Sequence, residues 1–313
     1  MKRAGLLILL VLPIMVIGQD LPVYSQYLLN PFQYNPSLAG VSTDGIAQTT
    51  NRIQWIGIPD APRVNTISYH QGFDQMGIGG YIYSDKNGLN SETGFQLSGA
   101  YHLDFSRYKN EIKRISGGLA FSGFQYSVDE SKFTDIGNDP AVTGAVQSLL
   151  SFNVSTGISL VINGFFAGIS VANLIPNSYR TNSSFEPVTP RNYFLGAGYS
   201  ISIQKSFIIE PSIVFKSAGM RNSQIDINLK TKYISKEYAV WIALSFRRII
   251  EASSPQNLSF MPVIGYETGV FSFGYAYEYG LSPIQAQNFG THEIMVGYRI
   301  CPKKGCSSSK IRG

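Results

Sequence analysis

The chain predicts an all-β fold, a transmembrane antiparallel β-barrel of about 14 strands with a short N-terminal plug or periplasmic segment. Three observations carry that prediction. Apolar and polar residues alternate with a period of two along most of the sequence, clearly in Phe207 to Lys216 and in Asp226-Ile227-Asn228-Leu229-Lys230. A secretory leader stands in front of them. Only 14% of residues are charged while 13% are aromatic and 31 are Gly, against the ~25% charge usual in soluble domains. After the leader, no stretch approaches the ~18 uninterrupted apolar residues of a membrane helix, so a membrane crossing has to be made by strands.

The leader is read as residues 1–18. Lys2 and Arg3 start it, an apolar run from Ala4 to Ile17 follows, and Val16 and Gly18 precede Gln19 as a cleavage-like end. An uncleaved anchor would need about 20 apolar residues. No Cys follows the expected cut, so no lipid attachment site is read there.

Residues 19–44 form an irregular segment holding Tyr24-Ser25-Gln26-Tyr27, Asn30-Pro31 and Asn35-Pro36-Ser37-Leu38-Ala39-Gly40. Proline bars the residue before it from helical geometry, so the two Asn-Pro pairs predict turns. The segment is too short for a domain. It is expected to enter the lumen as a plug or to lie against the periplasmic mouth.

Residues 45–300 carry the barrel, in segments expected at 45–55, 64–72, 76–84, 93–103, 112–126, 148–162, 164–172, 192–203, 207–217, 222–231, 237–248, 258–267, 269–279 and 290–300. A strand sends successive side chains to opposite faces. Phe207, Ile209, Ile213, Phe215, Ile225, Ile227 and Leu229 therefore line one face, and Tyr238, Val240, Ile242, Leu244 and Phe246 continue it. Glu210, Lys216, Asp226, Lys230, Arg247, Glu278, Glu293 and Arg299 fall on the other face. A lipid-facing Arg or Lys at mid-depth costs roughly 2–4 kcal/mol, which places these charges inside, where both signs can pair. Tyr275, Tyr277 and Tyr279 suit an interfacial girdle. The segment at 64–72 alternates poorly by eye.

Connections sort by length. Phe73 to Gln75, Asn163, Gln204 to Ser206, Lys232 to Lys236 and Thr268 are short, whereas Ser127 to Gln147, Asn173 to Arg191, Ile249 to Asn257 and Gly280 to Phe289 are long. That asymmetry belongs to an outer-membrane barrel with both termini in the periplasm and not to a secreted β-sandwich. Asp104 to Glu111 is long for the short side. Asp85-Lys86-Asn87-Gly88 reads as a hairpin turn.

Chemistry is sparse. His70, His102 and His292 are the only histidines, no Gly-x-Ser-x-Gly elbow occurs, and alternation puts His292 and Glu293 on opposite faces. Strand-face or loop roles are expected for all three, and the protein is read as no enzyme. Gly77 to Gly80 lies within a strand and opens no helix, so it is not a phosphate cradle. No metal or cofactor is expected. The formal charge of +5 is scattered, without a basic run, so nucleic acid is not implied. The basic tail, residues 301–313, holds Cys301 and Cys306, which in an oxidising periplasm either close a small disulfide or remain thiols.

Tyr24-Ser25-Gln26-Tyr27 with Asn30-Pro31 and Asn35-Pro36-x-x-Ala39-Gly40, then Arg52-x-Gln54-Trp55-x-Gly57 with Ala61-Pro62, and finally Gly290-Thr291-His292-Glu293-Ile294-Met295 resemble the PorP/SprF family of Bacteroidetes outer-membrane proteins. The tail after Arg299 departs from that pattern. The resemblance implies a part in type IX secretion and gliding motility. It implies as partners a secreted cargo protein or adhesin, held by its C-terminal domain, and periplasmic components of the same machine, in a barrel embedded in outer-membrane lipid. Tyr24, Tyr27, Asn30, Asn35, Arg52, Gln54 and Trp55 are the candidate contacts for cargo or partner. The alternative is a general solute-conducting porin whose charged lumen sets selectivity.

Overall fold

Alternation in sequence becomes alternation in burial. In the strand Arg63–Phe73, Val64, Thr66, Ser68 and His70 are buried, while Asn65, Ile67 and Tyr69 between them are exposed. The segment whose alternation looked poor is therefore regular. Its inward residues are largely polar, and polar residues are what this interior buries.

A computed structural model describes residues 26–108, 111–132, 144–175, 190–204, 206–219, 222–250 and 256–301. The expected leader, Tyr24, Cys306 and the rest of the tail beyond Cys301 lie outside the described residues. The strands are β1 (Gly45–Ile53), β2 (Arg63–Phe73), β3 (Met76–Asn87), β4 (Asn90–Asp104), β5 (Lys113–Asp129), β6 (Val146–Ile162), β7 (Phe165–Ala172), β8 (Asn192–Tyr199), β9 (Ile201–Gln204), β10 (Phe207–Ala218), β11 (Asn222–Ile234), β12 (Tyr238–Ile250), β13 (Gln256–Thr268), β14 (Phe271–Gly280) and β15 (Thr291–Ile300). Each pairs antiparallel with its neighbours, and the ring of successive strands closes where β1 meets β15. Closure leaves the ring itself without an open edge.

Of the 15 strands, β9 adds no stave. It pairs with β10 alone, on the edge that β10 also gives to β8. The single strand expected at 192–203 is thus interrupted at Ser200. Pro211 of β10 lies at the interruption and has no N–H to give a ladder, so pairing stops there and resumes beyond it. Ser200 turns its backbone N–H to Gly164 O instead and its hydroxyl to Glu210. The ring that remains is the 14-stranded barrel.

The turn expected at Asp85 to Gly88 sits slightly later. Asp85 and Lys86 still pair, with Glu92 and Ser91, and Asn87 faces Asn90 across Gly88, whose φ is +60°. A two-residue hairpin needs positive φ at this position, and Gly supplies it without steric cost.

Both ends of the ring are distinct. Near the start of β1 lie the connections 74–75, 105–112, 163–164, 205–206, 235–237 and 269–270, with the end of β15. At the opposite end lie 54–62, 281–290 and the tight 88–89, and there the strands flanking 130–145, 173–191, 219–221 and 251–255 end. Below, these are the terminal end and the loop end. Large apolar side chains such as Ile67, Leu97, Leu119, Ile227 and Ile242 cover the outside of the wall, as lipid contact demands. Among the described residues, no helix is long and apolar enough to cross a membrane.

Candidate functional site

The interior is the candidate site, and two layers fill it. The first is the segment that precedes β1. Each of its Asn-Pro pairs starts a tight 3-10 turn, at Pro31–Gln33 and at Pro36–Leu38. Asn35 caps the second: its side-chain Oδ1 accepts from Ser37 N at 3.0 Å and from Ser37 Oγ at 2.7 Å. Proline supplies the fixed φ and the Asn carboxamide satisfies an otherwise orphaned donor. Two short turns in succession keep the segment compact enough to lie within the barrel.

The wall receives it all the way round. Tyr27 donates to Asn228 Oδ1 on β11 at 2.6 Å. Leu29 packs with Trp241, Met261, Ala276 and Met295, on four adjacent strands from β12 to β15, while Gln48 of β1 donates to its carbonyl. Asn30 Nδ2 donates to Ser68 Oγ of β2 at 2.9 Å. Phe32, 1% exposed, fits among His70, Tyr81 and Ala100, on β2 to β4. On the far side, Asn35 Nδ2 donates to Ile158 O of β6 at 3.2 Å, the Ser37 and Ser159 hydroxyls meet at 3.0 Å, and Tyr34 O accepts from Ser170 of β7 at 2.5 Å. The Tyr34 ring meets Phe194 of β8 edge-on.

Glycine makes this seat possible. A Cβ at Gly77 would collide with the carbonyl of Ala39, one at Gly118 with the backbone of Pro36 and Ser37, and one at Gly157 with the Asn35 carboxamide. The segment's backbone lies directly against the wall there, and any larger residue would hold it off. His70 and His102, expected to have strand-face roles, hold the segment's last turn: Gly40 N donates to His70 Nδ1 at 3.2 Å and His102 Nε2 donates to Ala39 O at 2.9 Å.

The second layer is an ion ladder toward the loop end. Arg247 reaches Asp226 through two bonds and Glu278 through one of 2.9 Å. Arg52 links Glu278 at 2.7 Å with Glu293 at 3.1 Å. Lys216 stands 4.0 Å from Asp226 and over the rings of Tyr27 and Tyr34, at 5.1 and 5.0 Å. Ser259 adds a 2.5 Å bond to Glu278. Arg52, Arg247, Asp226 and Glu293 are each no more than 3% exposed. Charges so far from water persist only when paired, and these ion pairs are made between strands of the wall. Glu210 and Lys230 face each other at 3.9 Å, so the pairing expected across the lumen is present.

The candidate contacts therefore divide by place. Tyr27, Asn30 and Asn35 are engaged with the inner wall, and Arg52 belongs to the ladder. Its β1 position sends the side chain inward because Thr50 and Arg52 share a face. Gln54 and Trp55 alone of the described members stand at the loop end. There the connections 54–62 and 281–290 pair backbone to backbone, Ile56 N with Gly290 O at 3.0 Å and Phe289 N with Ile56 O at 2.8 Å. Trp55, with φ of 48° and 38% exposed, and Phe289, 72% exposed, leave apolar surface on that patch. His292 contacts Tyr275 and the Phe289 carbonyl. Asn153, which sequence reasoning missed, clamps Ile175 from both sides, donating to its carbonyl at 2.9 Å and accepting from its N–H at 3.0 Å. A lone inward Asn among serines was the available signal.

Among solved structures, a Pseudomonas aeruginosa FadL homologue is similar with a TM-score of 0.51 at 8% identity, over 84% of this chain and 92% of that one. The TodX deltaS2S3 mutant monoaromatic hydrocarbon channel is similar with a TM-score of 0.49 at 10% identity, over 86% and 93%. The first speaks to the fold alone, and the second carries no argument. No curated protein matches. The family model for the type IX secretion system membrane protein PorP/SprF matches residues 16–298, the stretch that holds the lumen segment and all the strands but the last two residues of β15, and the chain belongs to that family.

Proposed function

We propose that this outer-membrane barrel is a non-enzymatic accessory of type IX secretion and gliding motility that holds a secreted cargo protein or adhesin, through its C-terminal domain, at the cell surface. The observation that carries the reading is the lumen occupied by the chain's own N-terminal segment. A bore filled in this way leaves the two ends as working surfaces. We place the loop end outside and the terminal end, with both termini, in the periplasm, as the expected leader and the sorting of connections suggest.

In this reading the connections 54–62 and 281–290 carry the cargo contact, with Gln54 and Trp55 at its centre, and 130–145 and 173–191 extend it. Tyr27, Asn30 and Asn35 serve the partner indirectly, by setting the segment that leads into β1, and Tyr24 is proposed as a partner contact. The terminal end meets periplasmic components of the machine, and Cys301 and Cys306 close the tail in a disulfide. Tagged barrel purified from mild-detergent outer membranes should bring with it a large secreted protein or its C-terminal domain. Recovery of a clean barrel from cells that secrete normally would overturn the anchoring reading.

A further inference from the structure

Residues 26–40, Gln-Tyr-Leu-Leu-Asn-Pro-Phe-Gln-Tyr-Asn-Pro-Ser-Leu-Ala-Gly, contain no charged side chain. Among the described residues, every ion pair of the ladder runs from wall to wall. Segment and wall meet through two apolar pegs, Leu29 and Phe32, through neutral hydrogen bonds such as Ser37 to Ser159, and through backbone laid on glycine. Lys216 also reaches across, onto the Tyr27 and Tyr34 rings, and it keeps Asp226 at 4.0 Å regardless. The ring of strands closes where β1 meets β15, and no part of the segment takes up a ladder position. Taking the segment out breaks no ion pair and opens no seam.

What it would leave is a finished interior. The ladder side carries Arg52, Arg247 and Lys216 against Asp226, Glu278 and Glu293, three charges of each sign. The opposite side is neutral and polar, with Ser68, Gln96, Ser98, Asn153 and Ser159 facing inward. A wall meant to stay filled gains nothing from polar residues where the segment could be met by apolar ones, and a ring of this strand number is wide enough for solutes when unblocked. Balanced charge predicts weak preference between cations and anions.

We propose that residues 26–40 are a removable stopper, and that their withdrawal opens a passage for small hydrophilic solutes through the barrel. This goes beyond surface anchoring, which needs only the closed form. Gly40, at φ +63° and held between the His70 ring and Gly72, is the point from which the stopper hangs.

The test is conductance of the full chain in planar lipid bilayers, in a Cys301→Ser, Cys306→Ser background. The barrel without further substitution should be silent. Gly118→Leu and Gly157→Leu, which fill the seat, should each give steady current carried by both ions of a potassium chloride solution. Urea below the concentration that unfolds the barrel should open the unsubstituted form, and the pair Ser37→Cys, Ser159→Cys should abolish that current when oxidised and restore it when reduced. A seat-filled barrel that migrates as folded on an unheated gel yet stays silent overturns the proposal. Should both seat variants misfold, urea decides: current that the oxidised pair suppresses supports it, and silence up to unfolding overturns it.

Discussion

Arg247 grips Asp226 with two parallel hydrogen bonds, Nε to Oδ1 and Nη2 to Oδ2, each 3.0 Å long. The two residues face each other directly across β11 and β12. The planar guanidinium matches both carboxylate oxygens at once, which a lysine ammonium cannot do.

Asp226→Ala should therefore cost about 3–5 kcal/mol, because it removes from a buried site the carboxylate that Arg247 and Lys216 share. Arg247→Lys should recover little of the loss. Urea unfolding in lipid, followed by tryptophan fluorescence or gel mobility, would measure both, and an Arg247→Lys barrel as stable as the parent would contradict the bidentate account.

The two glutamates of the ladder should respond unequally. Glu278 uses both oxygens, toward Arg52, Arg247 and Ser259, whereas Glu293 uses Oε2 alone and its Oε1 has no partner among the described residues. Glu278→Gln should cost about 3 kcal/mol or more, and Glu293→Gln, which keeps an acceptor for Arg52, about 1 kcal/mol. The same unfolding measurement ranks them, and the reverse order would show the ladder is centred elsewhere.

Asn35→Ala should loosen the stopper without harming the ring. It removes a turn cap and the links to Ile158 and Ile169, a loss of about 1–2 kcal/mol that raises the undocked population roughly 5- to 30-fold. Limited proteolysis should cut within residues 26–40 faster by that order while the strands stay protected.

The outer face offers a control. Leu244 is exposed to lipid and Ser245 beside it is buried in the lumen. Leu244→Arg should cost about 2–4 kcal/mol, and Leu244→Ile almost nothing, both read from refolding yield in vesicles.

At the loop end, Gln54→Ala with Trp55→Ala should abolish cargo display at unchanged barrel abundance. Arg52→Ala should lower abundance itself, because it breaks the ladder at Glu278 and Glu293. Surface labelling of cargo beside an immunoblot of the barrel separates the two, and normal display by the Gln54, Trp55 pair would move the contact to the longer connections.

The barrel is legible in the order of residues alone. Alternation such as Tyr238-Ala239-Val240-Trp241-Ile242 assigns faces without knowledge of neighbours, since a strand has only two sides, and the expected segments fall within a few residues of the strands. Pro211 could have been read as a break in the partner of β10, but only the register with Gly198 and Ile201 shows which strand it interrupts. The interior was beyond local reading. Gly77, Gly118 and Gly157 look alike in sequence to any strand glycine; what makes them a seat is a segment dozens of residues upstream folded against all three. Arg52 likewise differs from a rim arginine only through Glu278 and Glu293, which lie more than two hundred residues away and reach it because closing the ring sets β15 beside β1. Periodicity is a property of neighbouring residues, and the sequence displays it. Which inward side chains meet across a lumen depends on ring closure and stagger, and the tertiary structure alone decides that.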